Sequence, residues 1–63
     1  MRLDLKTWRT KAGLTQKEVG KKLNVSEQTV VSWEAGETFM KAPQFLKFCA
    51  IVGADPKEVD LKQ

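Results

Sequence analysis

Two short segments, each with a marked start and a marked stop, constrain the fold of this chain more than any other feature. Thr15 is typical of a helix N-cap, and Glu18 three residues later completes the pattern of a capping box. Asn24 then tolerates the left-handed backbone that a sharp turn needs. Ser26 can cap a second helix, and Gly36 can end it. The sequence therefore predicts two helices joined by a turn of only three or four residues.

The connection between these helices is so short that they must cross steeply, as in a helix-turn-helix unit. Gly20 lies where the two helices of such a unit come closest and only a small residue fits. The positions that such a unit buries are apolar: Val19, Leu23, Val25, Val30 and Trp33. These matching constraints predict a helix-turn-helix over about residues 16–34.

Apolar spacing predicts a further helix before this unit. Its apolar residues lie at roughly helical spacing and are Leu3, Leu5, Trp8 and Ala12. Gly13 follows in the left-handed position at which many helices end. No segment shows the alternation of apolar and polar residues that is typical of a half-buried strand, so we expect no β-structure.

Two more helices are predicted toward the C-terminus. Pro43 is in the favoured first position of one, which ends at Gly53. Its apolar stripe consists of Phe45, Phe48, Cys49 and Val52. The last helix has Asp55 as its cap and Glu58 as the second member of a capping box. We therefore expect one all-α domain of five compactly packed helices over residues 1–63.

Composition limits the class of protein. A chain of 63 residues can bury only about 60% of its unfolded surface, which leaves little room for an enclosed active site. No apolar run approaches the ~20 residues of a membrane span, and no signal peptide is evident. The single cysteine, Cys49, cannot form an internal disulfide and is expected in the core. We expect a cytoplasmic protein, in a bacterium or in a phage-infected cell.

An enzyme is not expected. The chain has no histidine, no tyrosine and one cysteine, and helix caps and helix dipoles explain most of its carboxylates. Neither a metal-ligand cluster nor a phosphate-binding glycine loop is present in the sequence. We therefore expect no cofactor, no metal and no small-molecule substrate.

The charge is unevenly distributed. Residues 1–26 carry seven Lys or Arg against two acidic residues, a net +5, whereas residues 27–63 carry four Lys against six, a net −2. Three lysines of the predicted second helix contribute to the basic half: Lys17, Lys21 and Lys22. They form either an ordinary solvated face or a surface that attracts phosphates without regard to sequence.

With these features the chain resembles the phage repressor and Cro-type (XRE-like) helix-turn-helix domains. The resemblance rests on Arg9 and on the segments GLTQKEVGKKLNVSEQTVVSWEAG and FLKFCAIVGADP, so it covers nearly the whole chain. It implies a five-helix domain that binds double-stranded operator DNA, usually as a homodimer, with the third helix in the major groove.

The resemblance also implies roles for individual residues. The positions that face bases are Glu27, Gln28, Thr29 and Ser32. The positions near phosphates are Gln16, Lys17, Ser26, Thr38 and Lys41. Arg9 and Glu34 match a pair that forms a partly buried structural salt bridge. Val31 occupies a position that is usually polar, where it could pack on DNA or on a partner.

Side-chain chemistry agrees with the base-facing roles but leaves alternatives. Glutamine can pair with adenine, threonine can contact the thymine methyl, and glutamate can accept from cytosine N4. Gln16 and Gln28 could instead be ordinary solvated residues, and Thr29 and Ser32 could pack or bond locally to the backbone. Glu27 could instead stabilise the helix dipole, or exclude wrong sequences by repulsion.

The loop after Gly36 is longer than in close phage relatives and contains Phe39 and Met40. These two residues could fold back on the following helix or form a dimer contact. The leading hypothesis is a sequence-specific transcriptional regulator of the repressor or Cro type. The alternative is an antitoxin-like protein-interaction module that has the same fold and binds DNA weakly.

Overall fold

Residues 3–61, which the computed structural model describes, form four α-helices and a short parallel sheet. In chain order the elements are β1 (Leu3–Asp4), α1 (Leu5–Lys11), α2 (Gln16–Leu23), α3 (Glu27–Ala35), α4 (Ala42–Val52), a 3-10 turn (Pro56–Glu58) and β2 (Val59–Asp60). The elements α2 and α3, with three residues between them, lie where the helix-turn-helix was predicted.

The starts and ends of α2 and α3 follow the predicted capping residues. Thr15 Oγ1 accepts a hydrogen bond from the Glu18 backbone N–H at 3.1 Å, and Glu18 Oε1 accepts from the Thr15 N–H at 2.9 Å, so the capping box is confirmed. Ser26 Oγ accepts from the backbone N–H of Thr29 at 3.2 Å and caps α3. Gly36 ends α3 in the left-handed conformation, with φ at 79°.

The turn between α2 and α3 brings the two backbones into close contact. Asn24 is left-handed, with φ at 59°, and the Val25 N–H donates to the Gly20 carbonyl at 2.8 Å. A Cβ atom on Gly20 would lie 2.9 Å from the carbonyl oxygen of Val25, which is too close for ordinary packing. The predicted need for a small residue at this position is therefore confirmed.

The apolar faces of the helices meet in one core. The largest side chains that are fully buried are Val19 of α2, Val30 of α3 and Phe48 of α4. The other buried apolar residues are Leu5, Leu23, Trp33, Met40, Cys49 and Val59. Because α3 contributes its inner face to this core, its opposite face is directed away from the domain.

The predicted fifth helix is wrong, and the segment forms a single 3-10 turn. Asp55 caps this turn, but its Oδ1 accepts from the Lys57 N–H at 3.0 Å. The capping box predicted between Asp55 and Glu58 is therefore not formed. Val59 follows at once and is only 2% exposed. Since Val59 reaches the core in an extended conformation, the chain leaves helical geometry after one turn.

The expectation of no β-structure is also wrong, and the first helix begins later than predicted. Asp4 Oδ1 accepts from the Thr7 N–H at 2.8 Å, so α1 starts at Leu5 and Leu3 lies outside it. The strands β1 and β2 pair in parallel, with Leu3 opposite Val59. Strands of two residues are too short to show alternation, and their pairing partners lie at opposite ends of the described chain.

Candidate nucleic-acid interface

The face of α3 that points away from the core is open to solvent. Val30 and Trp33 bury the inner face of the helix. The residues on the outer side are Glu27, Gln28, Val31, Ser32 and Ala35. Glu27 and Gln28 are exposed and Ser32 is partly exposed. The helix therefore presents a carboxylate, an amide and a hydroxyl on one surface, and each of these groups can hydrogen-bond to a base edge.

Two predicted DNA contacts, Ser26 and Thr29, bond to each other at the start of α3. Their hydroxyl oxygens lie 2.9 Å apart, and Ser26 Oγ also accepts from the Thr29 N–H. Ser26 is exposed and Thr29 is half-buried. Both hydroxyls thus stabilise the first turn of α3, and a base contact by the Thr29 hydroxyl would compete with this pair. The Thr29 methyl group is under no such constraint.

A hydrogen-bonded cluster connects α1, α2 and α3 at one end of the predicted interface. Arg9 Nε donates to Glu34 Oε2 at 2.5 Å, and Arg9 Nη2 donates to Glu34 Oε1 at 3.3 Å. Arg9 Nη1 donates to the Leu14 carbonyl at 2.8 Å. Gln16 Nε2 donates to Glu34 Oε1 at 3.1 Å. The side chains of Arg9 and Glu34 are only 10% and 7% exposed. Gln16, the predicted phosphate contact, is therefore held by the carboxylate of Glu34.

The lysines of α2 lie on its exposed side. Lys17, Lys21 and Lys22 are all exposed, and Lys17 and Lys21 share one face because they are four residues apart. Hydrogen bonds from Thr15, chiefly from its backbone N–H, lower the pKa of Glu18, and Lys22 and Lys21 lower it further. The capping carboxylate therefore remains charged amid this basic surface.

Comparison with known families supports one assignment. The model of a family described as a helix-turn-helix domain matches residues 2–61, nearly the whole chain. The chain belongs to this helix-turn-helix domain family. The family is of the XRE- and Cro-like type, so the resemblance inferred from the sequence is confirmed. No curated protein and no solved structure shows a significant match.

In the loop between α3 and α4 of this helix-turn-helix domain, the two neighbouring apolar residues have different surroundings. Met40 is 9% exposed and belongs to the core, whereas Phe39 is 53% exposed. Of the two alternatives left open for this pair, Met40 follows the first, because its side chain folds back into the core. α4 begins at Ala42, so Pro43 is its second residue and not its first as predicted.

The remaining predicted phosphate contacts, Thr38 and Lys41, are exposed in the same loop. The Thr38 N–H donates to the Ser32 carbonyl at 3.5 Å, and the Glu37 N–H donates to the same oxygen at 3.0 Å. These bonds fasten the loop to the last turn of α3. The Lys41 N–H donates to Gln44 Oε1 at 3.0 Å, which stabilises the start of α4.

Two apolar residues that were not among the predicted site residues reach the surface, one of them exposed and the other partly exposed. Leu46 of α4 is 58% exposed, more than any residue of the apolar stripe of that helix. Its exposure was not evident from the sequence, because it lies between residues of the stripe in the chain. Val31 lies in the middle of the outer face of α3, and its departure from the polar pattern of that face was its only signal in the sequence. Within residues 3–61, no helix combines the length and the apolar composition needed to cross a membrane.

Proposed function

We propose that this helix-turn-helix domain is a sequence-specific transcriptional regulator of the repressor or Cro type. In this proposal α3 lies in the major groove of double-stranded operator DNA. The observation that carries the proposal is the outer face of α3, where Glu27 and Gln28 are exposed while Val30 and Trp33 fix the helix to the core. Such a regulator acts where the DNA is, in the bacterial cytoplasm.

The base contacts are assigned to α3. Gln28, in the first turn of α3, pairs its amide with adenine N6 and N7. Ser32 lies one turn further on and contacts the neighbouring base. The Glu27 carboxylate accepts a hydrogen bond from cytosine N4. Alternatively, it excludes DNA sequences whose base edges offer it only acceptors, because acceptor and carboxylate repel each other. Thr29 contributes chiefly through its methyl group, since its hydroxyl bonds to Ser26.

The phosphate contacts surround this face. Gln16 is favoured because Glu34 orients its amide while Nε2 keeps a second N–H. Lys17 and Ser26 lie at the exposed N-termini of α2 and α3, where backbone N–H groups favour an anion. Thr38 and Lys41 form the second group, in a loop that is bonded to the end of α3. All five residues supply affinity without sequence information.

The regulator is proposed to bind as a homodimer on a pseudo-palindrome with half-sites about one helical turn apart. Phe39 supports this proposal, because its aromatic ring is 53% exposed in the single chain and a partner subunit would remove it from water. Met40 has no part in the contact.

An antitoxin-like interaction module with weak DNA binding is the second candidate. One observation favours it: Phe39 and Leu46 are both exposed, the first before α4 and the second on it. A protein partner that covers both side chains would not need the polar face of α3.

Selection of binding sites from randomised double-stranded DNA tests the proposal. A regulator enriches a defined sequence, and its binding weakens steeply with salt, by about 0.9 in the log–log slope for each neutralised phosphate. Gln28→Ala should lower affinity for the enriched site by about 1–3 kcal/mol and relax the preference at one base pair. Thr7→Ala, an exposed polar residue on α1, is the matched control.

One result would decide against the regulator, and another would decide against the role of Gln28. Failure to enrich any sequence, at low as well as at high salt, favours the interaction module. Equal weakening of all sequences by Gln28→Ala would remove Gln28 from the base contacts and leave it, at most, a phosphate neighbour.

A further inference from the structure

The outer face of α3 has an aliphatic side chain at its centre. Successive helical residues are about 100° apart around the axis. Val31 therefore lies directly between Glu27, one turn before it, and Ala35, one turn after it, with Gln28 and Ser32 to one side. Any molecule that approaches the polar groups of this face must also cover Val31.

The core does not account for this valine. Among the described residues, α3 contributes Val30 and Trp33 to the buried cluster, and Val31 is not one of the side chains packed against that cluster. It is partly exposed, while Glu27, Gln28 and Ala35 around it are exposed. The exposed part of its side chain is thus available to a ligand of the outer face.

The chemistry of Val31 restricts which base it can cover favourably. A valine side chain has no donor and no acceptor, so against cytosine N4 or guanine O6 it removes water without replacing the hydrogen bond. Against the C5-methyl group of thymine it buries apolar surface on both partners. In the major groove, thymine is distinguished from the other three bases by this apolar methyl group.

We propose that Val31 is a specificity-determining residue that selects thymine through its C5-methyl group. This inference rests on the proposed function and adds one base preference to it. Gln28, three residues before Val31, is suited to adenine. The two side chains lie within about one turn of α3 and together favour A·T pairs at the bases that this turn faces. Glu27 flanks the same contact and is the nearest charged group on the outer face.

Single uracil substitutions test the proposal, because uracil differs from thymine only by the missing C5-methyl group. Each thymine of the site enriched from random DNA is replaced in turn. One replacement should weaken binding by about four-fold, the value of one buried methyl group at 25 °C. Replacement of thymines that face neither Val31 nor the Thr29 methyl group should change affinity little.

The variant Val31→Ala should bind the thymine and uracil forms of that site with nearly equal affinity. Leu46→Ala, which shortens an exposed aliphatic side chain on α4, is the matched control and should keep the full difference. Val31→Thr preserves the shape of the side chain and should reduce the difference in affinity between the thymine and uracil forms. This variant is used in place of Val31→Ala if circular dichroism shows that the alanine variant is unfolded.

The outcomes separate this inference from the proposed function. If a sequence is enriched but no uracil replacement matters, or if the valine variants keep the thymine preference, Val31 is not the selecting residue and the regulator still stands. An enriched half-site without thymine has the same meaning. If no sequence is enriched at all, the proposed function fails first.

Discussion

At the scale of single residues, Glu34 is the point where three segments of the domain meet. Its carboxylate accepts from Arg9 and from Gln16, and Arg9 also donates to the carbonyl of Leu14. The charged groups of Arg9 and Glu34 are almost entirely shielded from water. Removal of either partner would leave the other charge buried and unpaired, which costs more than the pair itself contributes.

Arg9→Met should therefore destabilise the domain strongly. We expect a loss of about 3 kcal/mol in the free energy of unfolding, because the Glu34 carboxylate is left buried without its cation. Urea unfolding followed by tryptophan fluorescence measures it. Lys6→Met, an exposed residue of the same helix, should change the free energy by less than about 0.5 kcal/mol. Equal effects of the two substitutions would contradict the structural role of the pair.

Glu18 should make stability depend on pH in the acid range. Its pKa in the folded protein lies below the ordinary 4.5, mainly because the Thr15 backbone N–H donates to the carboxylate. A group with a lowered folded pKa stabilises the fold fully above its unfolded pKa, and this stability is lost as pH falls through the folded pKa.

The comparison of wild type with Glu18→Gln measures this contribution. The difference in unfolding free energy should shrink as pH is lowered from about 6 to about 3. Glu37→Gln, an exposed carboxylate in the loop before α4, is the control. A difference that stays constant over this range would show that the charge of Glu18 is not what stabilises the box.

At the scale of elements, the packing of α2 against α3 depends on Gly20. Gly→Ala in a helix usually stabilises by about 1 kcal/mol. Here the added Cβ would meet the Val25 carbonyl, a backbone atom that cannot move without opening the turn. We expect Gly20→Ala to destabilise by about 1–3 kcal/mol in thermal unfolding. Lys21→Ala, on the exposed side of α2, is the control, and a more stable Gly20→Ala protein would refute the close contact.

Helix ends were predictable because their determinants are local. Thr15, Glu18 and Ser26 act on backbone groups two or three residues away, so the chemistry is visible in a short window of sequence. The strand pair was not predictable, since Leu3 meets Val59 only after the helices have packed. Between these limits, the family resemblance predicted which face of α3 is the candidate reading face, whereas the burial of Met40 could be seen only in the packed loop.

The details of the candidate site show the same division. The helical period predicted which side chains share the outer face of α3. It did not predict which of their hydroxyl groups are already hydrogen-bonded within the domain. Ser26 and Thr29 are engaged with each other, and the Gln16 amide is held by Glu34. Such contacts between neighbouring polar groups depend on rotamers, which sequence spacing does not specify.

At the scale of the whole molecule, Phe39 should govern association. Phe39→Ser should shift the monomer–dimer equilibrium toward monomer in sedimentation experiments, because the proposed homodimer would lose the apolar contact of this exposed ring. Leu46→Ser, an equally exposed apolar residue on α4, tests whether the effect belongs to the loop. An unchanged equilibrium for Phe39→Ser would exclude the loop as the dimer contact.

The pairing of β1 with β2 has a consequence for how the chain reaches its folded state. Leu3 and Val59 are partners, and the Trp8 indole N–H donates to the Glu58 carbonyl at 3.1 Å, so the early segment is held by the late one. On the ribosome, a chain lengthens by about 5–20 residues per second, and a contact cannot form before both of its residues have emerged. The N-terminal strand therefore waits without its partner until nearly the whole domain has been synthesised.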